Sequence, residues 1–483
     1  MKSIIAILGG LFFLILSTSA QNEVDALRFS RTSITGTARS VGLGGAVGAV
    51  GSDFTGLSIN PAGIGLYSKS EFTFSPSLMW NTTNSDFKGN SYENSAYNFN
   101  LGNVGYVSNY SLNADKGWIS TNFGFGYNRL NSFSKEVLMN GINNTSSLLD
   151  NFTYYANRNP NNLDQFYEQL AFDALLLPYD TVTGEYWNDP QNDGYGQNQR
   201  RTLSNSGSAG EYVFSFGANY NHRLYLGASL GINRLRFRQE MIHTENDVNN
   251  TIAFMDNFVF TEDILTRGTG YSLKLGLIAR PLNFLRVGAA YHLPTFYTLR
   301  DDFTTEFQAA YDPVEDIDPT TELSPFGEFR YKLRTPSKFI GSAAITLGKI
   351  AMISADYEYL DYTSARLNSG DYDFFDENEA IGYTLKAAHN IRLGGELRMG
   401  PGYFRGGYAY YGSPYATEQP DVDSRYAIYS AGVGLRNRDF FVDLAYSVTN
   451  SRERYYMYVP GMDDGSLNTS NISNIMMTLG FRF

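Results

Sequence analysis

Residues 388–399 read Ala388-His389-Asn390-Ile391-Arg392-Leu393-Gly394-Gly395-Glu396-Leu397-Arg398-Met399. Ile391, Leu393, Gly395, Leu397 and Met399 are apolar or small, whereas Arg392, Gly394, Glu396 and Arg398 alternate with them and carry the charge. A period of two places successive side chains on opposite faces, so this is a strand with one greasy face. Residues 351–359 repeat the pattern, with Ala351, Ile353, Ala355, Tyr357 and Tyr359 against Met352, Ser354, Asp356 and Glu358. The chain end does so again, Ile475, Met477, Leu479, Phe481 and Phe483 sharing a face opposite Arg482. A soluble sandwich alternates in the same way, so the pattern alone leaves two architectures open.

The connections separate them. The pattern predicts strands near 70–81, 95–108, 117–130, 210–221, 223–238, 268–281, 283–300, 326–347, 350–365, 386–399, 402–411, 425–437, 439–450 and 472–483. Tight turns around Ala114-Asp115, Asn221-His222, Pro281-Leu282, Gly348-Lys349, Gly400-Pro401 and Asn437-Arg438 alternate with long polar connections at 82–94, 131–209, 239–267, 301–325, 366–385, 412–424 and 451–471. Small turns at one end and large loops at the other are the layout of an outer-membrane barrel. The even strand number fits, provided that 326–347 is one strand bent at Pro336. The fold class predicted is all-β, a 14-stranded antiparallel transmembrane β-barrel over residues 70–483.

Composition agrees. The 483 residues include 36 Tyr, 34 Phe, 3 Trp and 47 Gly, with only 18% charged. Zero Cys excludes disulfides, thiolate metal sites and cysteine catalysis, and four His make imidazole metal sites a poor reading. A net charge of −12 argues against a nucleic-acid partner. No cofactor, metal or catalytic residue is expected. His222, His243, His292 and His389 have no Gly-x-Ser-x-Gly partner. The acidic runs Asp312–Asp318 and Asp371–Glu379 lack calcium-loop spacing and read as solvated loops.

The N-terminus carries two further segments. Lys2, the apolar run Ile4–Leu16 and the small residues Ser17–Ala20 form a signal-peptide pattern over 1–20, too short to span a bilayer. Export to the outer membrane of a Gram-negative bacterium follows. Residues 21–69 do not alternate. Nine glycines fall between Gly36 and Gly65, in a spacing that misses the dinucleotide fingerprint. Barrels of 16–18 strands leave a channel where eight-stranded ones do not, so a fourteen-stranded bore needs a filler. Compact glycine-rich backbone ahead of the first strand is placed to be that hatch.

Ser58-Ile59-Asn60-Pro61-Ala62-Gly63-Ile64-Gly65, directly before the first strand, resembles the FadL/OMPP1/TodX family of outer-membrane transporters. Leu333-Arg334-Thr335-Pro336, His389–Glu396 with Phe404–Tyr408, and Tyr429–Gly434 are similar in the same order. The resemblance implies uptake of hydrophobic small molecules, fatty acid-like or aromatic. They would be caught in a groove among the loops, held in the bore, and released sideways beside the hatch at a kinked third strand. Such a protein would be a monomer meeting its cargo and the surrounding lipid and lipopolysaccharide. The alternative class is a general diffusion porin or surface-binding barrel.

Candidate residues follow from that scheme. Leu163, Phe166, Tyr167, Leu170, Ala171, Ala174 and Leu175 at helical spacing after Asn162 predict an amphipathic helix in the longest loop, with Phe166, Tyr167 and Leu170 as groove wall. Arg392 and Arg398 could hold a ligand carboxylate, or brace the barrel together with Glu396, Asp356 and Glu358. Gly124 and Gly126, in a strand face with Trp118, Ser120 and Asn122, are candidate gate residues with Asn60, Pro61, Ala62 and Gly63 of the hatch.

Overall fold

The computed structural model describes residues 23–417, 424–460, 462 and 465–483; the expected signal segment 1–20 lies outside them. Among the described residues fourteen antiparallel strands close into one barrel. They are β1 (Glu71–Phe87), β2 (Asn90–Ser111), β3 (Trp118–Ser132, continued by Lys135–Asn143), β4 (Gln197–Tyr220) and β5 (Leu224–Asn246). Next come β6 (Met255–Leu282), β7 (Leu285–His292 and Phe296–Tyr311), β8 (Thr320–Leu323, Gly327–Arg334 and Lys338–Leu347) and β9 (Ala351–Asp361 and Arg366–Asn368). The ring finishes with β10 (Ala387–Met399), β11 (Gly402–Tyr411), β12 (Tyr426–Arg436), β13 (Phe440–Tyr455) and β14 (Ser466–Arg482). Each pairs with its sequence neighbour, and β14 closes on β1 from Glu71↔Arg482 to Asp86↔Leu467.

The alternation that predicted the strands also orients them. On β10, Ile391 and Leu393 are 43% and 44% exposed on the outer face, while Arg392 between them is 6% exposed within the bore. No described helix is long and apolar enough to cross a membrane; crossing is left to the strands, whose outer face carries the apolar band. Pro336 falls in a break at 335–337, level with a break at 293–295 in β7. There the Thr335 amide donates to the Thr295 carbonyl at 3.0 Å, which stitches the two breaks together.

Three predicted loops are largely strand. Residues 82–94 form the ends of β1 and β2 around the turn Lys88-Gly89, β5 and β6 extend through most of 239–267, and β7 runs on to Tyr311. These extensions stand beyond the apolar band, where both faces meet water or loop, so the outward hydrophobic signal stops before the hydrogen-bond ladder does. The connection expected at 131–209 shrinks to 144–196 for the same reason. Its predicted helix is also displaced. Helix α4 (Glu168–Asp173) is a single short turn, and the longer helix is α3 (Leu148–Arg158). The reciprocal Ser147/Asp150 capping box starts α3.

The segment from Glu23 to Leu66 is ringed by the strands. It comprises α1 (Glu23–Ser30), α2 (Ala38–Gly42) and short 3₁₀ turns at Thr55–Ser58 and Pro61–Leu66. It exchanges hydrogen bonds with the wall on opposite sides. The Ala38 amide donates to Thr478 on β14 at 2.7 Å, and the Gly48 amide to Asp356 on β9 at 3.0 Å. Arg286 on β7 donates to the Val50 carbonyl at 2.6 Å, and Ser58 donates to Glu211 on β4 at 2.7 Å.

Candidate functional site

The site begins where two strands part. β2 and β3 pair from Ser111↔Ser120 only as far as Asn103↔Asn128. Beyond that point β2 keeps β1 as its partner, but β3 bulges between Arg129 and Asn131 and breaks at 133–134. An unpaired backbone edge inside an apolar wall is costly. Residues 31–36 of the N-terminal segment occupy the freed edge. The Ser33 amide donates to the Leu130 carbonyl at 2.8 Å, the Thr35 hydroxyl donates to the Arg129 carbonyl, and Asn131 Nδ2 reaches the Arg31 carbonyl at 3.5 Å. On the other side of the parting, a Cβ on Gly102 of β2 would lie 2.8 Å from the Gly36 carbonyl oxygen. Only glycine lets the strap pass that close.

Behind the strap is a cavity of about 110 Å³. Phe29, Ile34, Leu130, Leu293, Tyr297 and Ile340 supply its apolar lining. Arg31, Lys338, Arg392 and Glu358 supply charge. Arg392 reaches Glu358 at 3.4 Å and Asp356 at 4.0 Å, with its Nε atom lacking a hydrogen-bond partner. Lys338 Nζ donates to Thr32 of the strap at 3.0 Å. The chamber therefore combines a hydrocarbon side with a fixed cationic side, which suits a compact molecule with an apolar body.

The predicted residues divide. Arg392 lines the cavity, whereas Arg398 does not: it is exposed in the last turn of β10, where Nε donates to the Gly400 carbonyl at 3.3 Å. Alternation carried its direction into the reading but not its height along the strand. Glu396 braces the N-terminal segment, accepting from Arg39 at 3.1 Å and from Arg405 at 2.7 Å. Asn60 caps the 3₁₀ turn through Ala62 N at 3.1 Å, with Pro61 at its first position. Asn60 Nδ2 also donates to the Gly48 carbonyl at 2.8 Å and to Leu277 on β6 at 3.3 Å. Ala62 and Gly63 are buried beside it.

Gly124 and Gly126 are not where β3 breaks. A Cβ on Gly124 would lie 3.0 Å from Ile64 and 3.1 Å from Leu57, and one on Gly126 would lie 2.6 Å from the Phe54 ring. They make room for the apolar side chains of the N-terminal segment, and the break comes 133–134, beyond them. Sequence reasoning missed Arg31, Ser33 and Thr35 because irregular backbone has no period; their sole signal was the polar cluster Ser30–Thr35 after a helical start.

Phe166, Tyr167 and Leu170 lie far from the cavity, in the cap formed by 144–196. The Phe166 ring packs 4.7 Å from that of Phe303, and its carbonyl accepts from Thr305 at 2.6 Å. Tyr167 donates to Glu262 at 2.7 Å, and Leu170 is buried with Phe152, Phe258, Phe260 and Phe307. This is a packed core rather than an open groove. Within it, burial raises the carboxyl of Glu168 to about 7. Among the described residues no group of His and carboxylates could hold a metal.

No protein-family profile matches the sequence, and no curated protein matches it. Solved structures do. A Pseudomonas aeruginosa FadL homologue aligns with TM-score 0.53 at 12% identity, covering 94% of this chain and 100% of that one. The CymD monoaromatic hydrocarbon channel and the Pseudomonas putida toluene transporter TodX each align with TM-score 0.50 at 12% identity, covering 94% of this chain and 99% of theirs. The closed barrel of fourteen strands described above is therefore the fold shared by the FadL homologue and the TodX and CymD channels.

Proposed function

We propose that the protein is an outer-membrane transporter that takes up hydrophobic small molecules, with the N-terminal segment as its hatch. Cargo enters past the packed loop cap, rests in the chamber behind residues 31–36, and leaves sideways between β2 and β3 when that strap lifts. The observation that carries this reading is the parting of β2 from β3 at Asn103↔Asn128, with strap rather than strand holding the exposed edge. A few hydrogen bonds, each worth on the order of 1 kcal/mol net, are a barrier that thermal motion and ligand binding can overcome. Breaking the barrel ladder itself is not. The chamber size supports compact cargo: at about 110 Å³ it is smaller than a dry cavity of ~150 Å³, which admits benzene. The names of the structural neighbours, toluene and monoaromatic hydrocarbon among them, support the same class.

The test is paired. Proteoliposomes carrying the purified protein should take up radiolabelled toluene or a medium-chain fatty acid faster than empty vesicles, while planar bilayers show almost no steady ion conductance. Large, stable ion channels would instead identify a diffusion porin.

A further inference from the structure

Four arginines stand in register on the outer face of the barrel. Arg236 of β5 pairs across to Arg267 of β6, Arg267 to Arg300 of β7, and Arg300 to Arg330 of β8. Their outward direction is fixed by their neighbours: Leu235, Phe237, Leu299 and Tyr331 point into the bore and are buried together. Directly opposed residues lie about 4.5–5.5 Å apart at Cβ, and like charges so placed destabilise a sheet. Asp302 and Glu328 are shared among Arg267, Arg300 and Arg330, with Arg300 at 2.7 Å from Asp302 and 3.1 Å from Glu328. Arg236 has no carboxylate within ion-pair distance among the described residues. The next register row towards the apolar band adds Arg234 and Lys332, and the one after it Arg334 opposite Phe296.

That last row is the edge of the greasy band. Ile232, Tyr271 and Phe296 pair in register there, with Tyr271 64% and Phe296 57% exposed. Cations therefore begin where lipid-facing aromatics end, on the long-loop side of four adjacent strands. The opposite wall differs: above Trp80, β1 presents Thr82, Asn84 and Asp86 outward. A chain of net charge −12 has concentrated cations on one arc at one height.

We infer that this arc binds the phosphate groups of a phosphorylated lipid in the outer leaflet. The row height matches a headgroup whose acyl chains lie along Leu230, Tyr271 and Phe296, and arginine forks suit phosphate oxygens. The bound phosphates supply the anion that Arg236 lacks and add to the two carboxylates that Arg267, Arg300 and Arg330 share.

Native mass spectrometry of the full chain in neutral detergent tests this. Diphosphorylated lipid A should be retained roughly tenfold or more over the same lipid with its phosphates removed, since each basic residue near an anionic surface adds on the order of 1 kcal/mol. Excess inorganic phosphate should not displace it. The quadruple variant R236Q/R267Q/R300Q/R330Q should lose the preference, while R452Q on β13 keeps it. Should the quadruple variant fail to fold, R236Q alone must still reduce retention. Equal retention of the two lipids by the wild-type chain, or displacement by free phosphate, would overturn the inference.

Discussion

At the scale of single residues, Asn60 shows how little sequence is needed to seat a segment with no regular structure. Its carbonyl oxygen caps one turn while its amide ties two backbones, one of them on the barrel wall. Replacing it by alanine removes the cap and strands two carbonyls. The expected loss is about 2 kcal/mol of local stability. Amide hydrogen exchange at Ala62 and Gly63 should then quicken by roughly 30-fold, and Asn60→Asp, which keeps the cap acceptor, should recover part of it. Unchanged exchange in Asn60→Ala would remove the residue from this role. The Asn-Pro-Ala-Gly stretch was legible only through its family resemblance; that Asn60 caps a turn opened by Pro61 is seen in the structure. Arg398 was misplaced because alternation tells which face a side chain takes and nothing of its depth.

Elements were legible in proportion to how long one of their faces met lipid. The tight turns, the fourteen strands and their order were readable, since alternate outward residues must be apolar wherever the wall crosses the band. Strand ends beyond the band obey no such rule, which is why 82–94 and 239–267 read as loops. In the cap, the apolar spacing of 163–175 is real, as Leu170, Ala171 and Ala174 are buried. Yet tertiary packing keeps only Glu168–Asp173 helical. The better start signal lay upstream in Ser147 and Asp150.

The buried carboxyl of Glu168 gives the α4 element a pH dependence with a definite sign. Its value rises from 4.5 to about 7 because burial disfavours the charged form. The folded cap therefore favours the proton that the unfolded chain has already released. This contribution is complete below pH 4.5 and is lost as pH rises through about 7. Protease resistance of the 163–176 segment should decline between pH 5 and pH 8, and the Glu168→Gln variant should lack that decline. An identical decline in both proteins would assign the effect elsewhere.

For the molecule as a whole, function follows from one mismatch of numbers: fourteen strands enclose more space than their own side chains fill. The glycine-rich N-terminal segment fits that space because small residues let its backbone approach the strands. It is held by ion pairs through Arg39 and Glu396 on one side and by Phe54, Leu57 and Ile64 on the other. Ahead of these anchors in the chain, residues 31–36 rest on hydrogen bonds to an edge that β2 has left. The proposed release needs movement there and nowhere else in the wall. The chain has no cysteine, so a lock can be built cleanly from Ser33→Cys and Leu130→Cys, whose backbones already share a hydrogen bond of 2.8 Å. The decisive measurement is uptake of labelled toluene by proteoliposomes carrying this double variant, oxidised and then reduced. Uptake should fall to the level of empty vesicles when the disulfide forms and return on reduction; transport that proceeds unchanged through the oxidised protein would contradict release between β2 and β3.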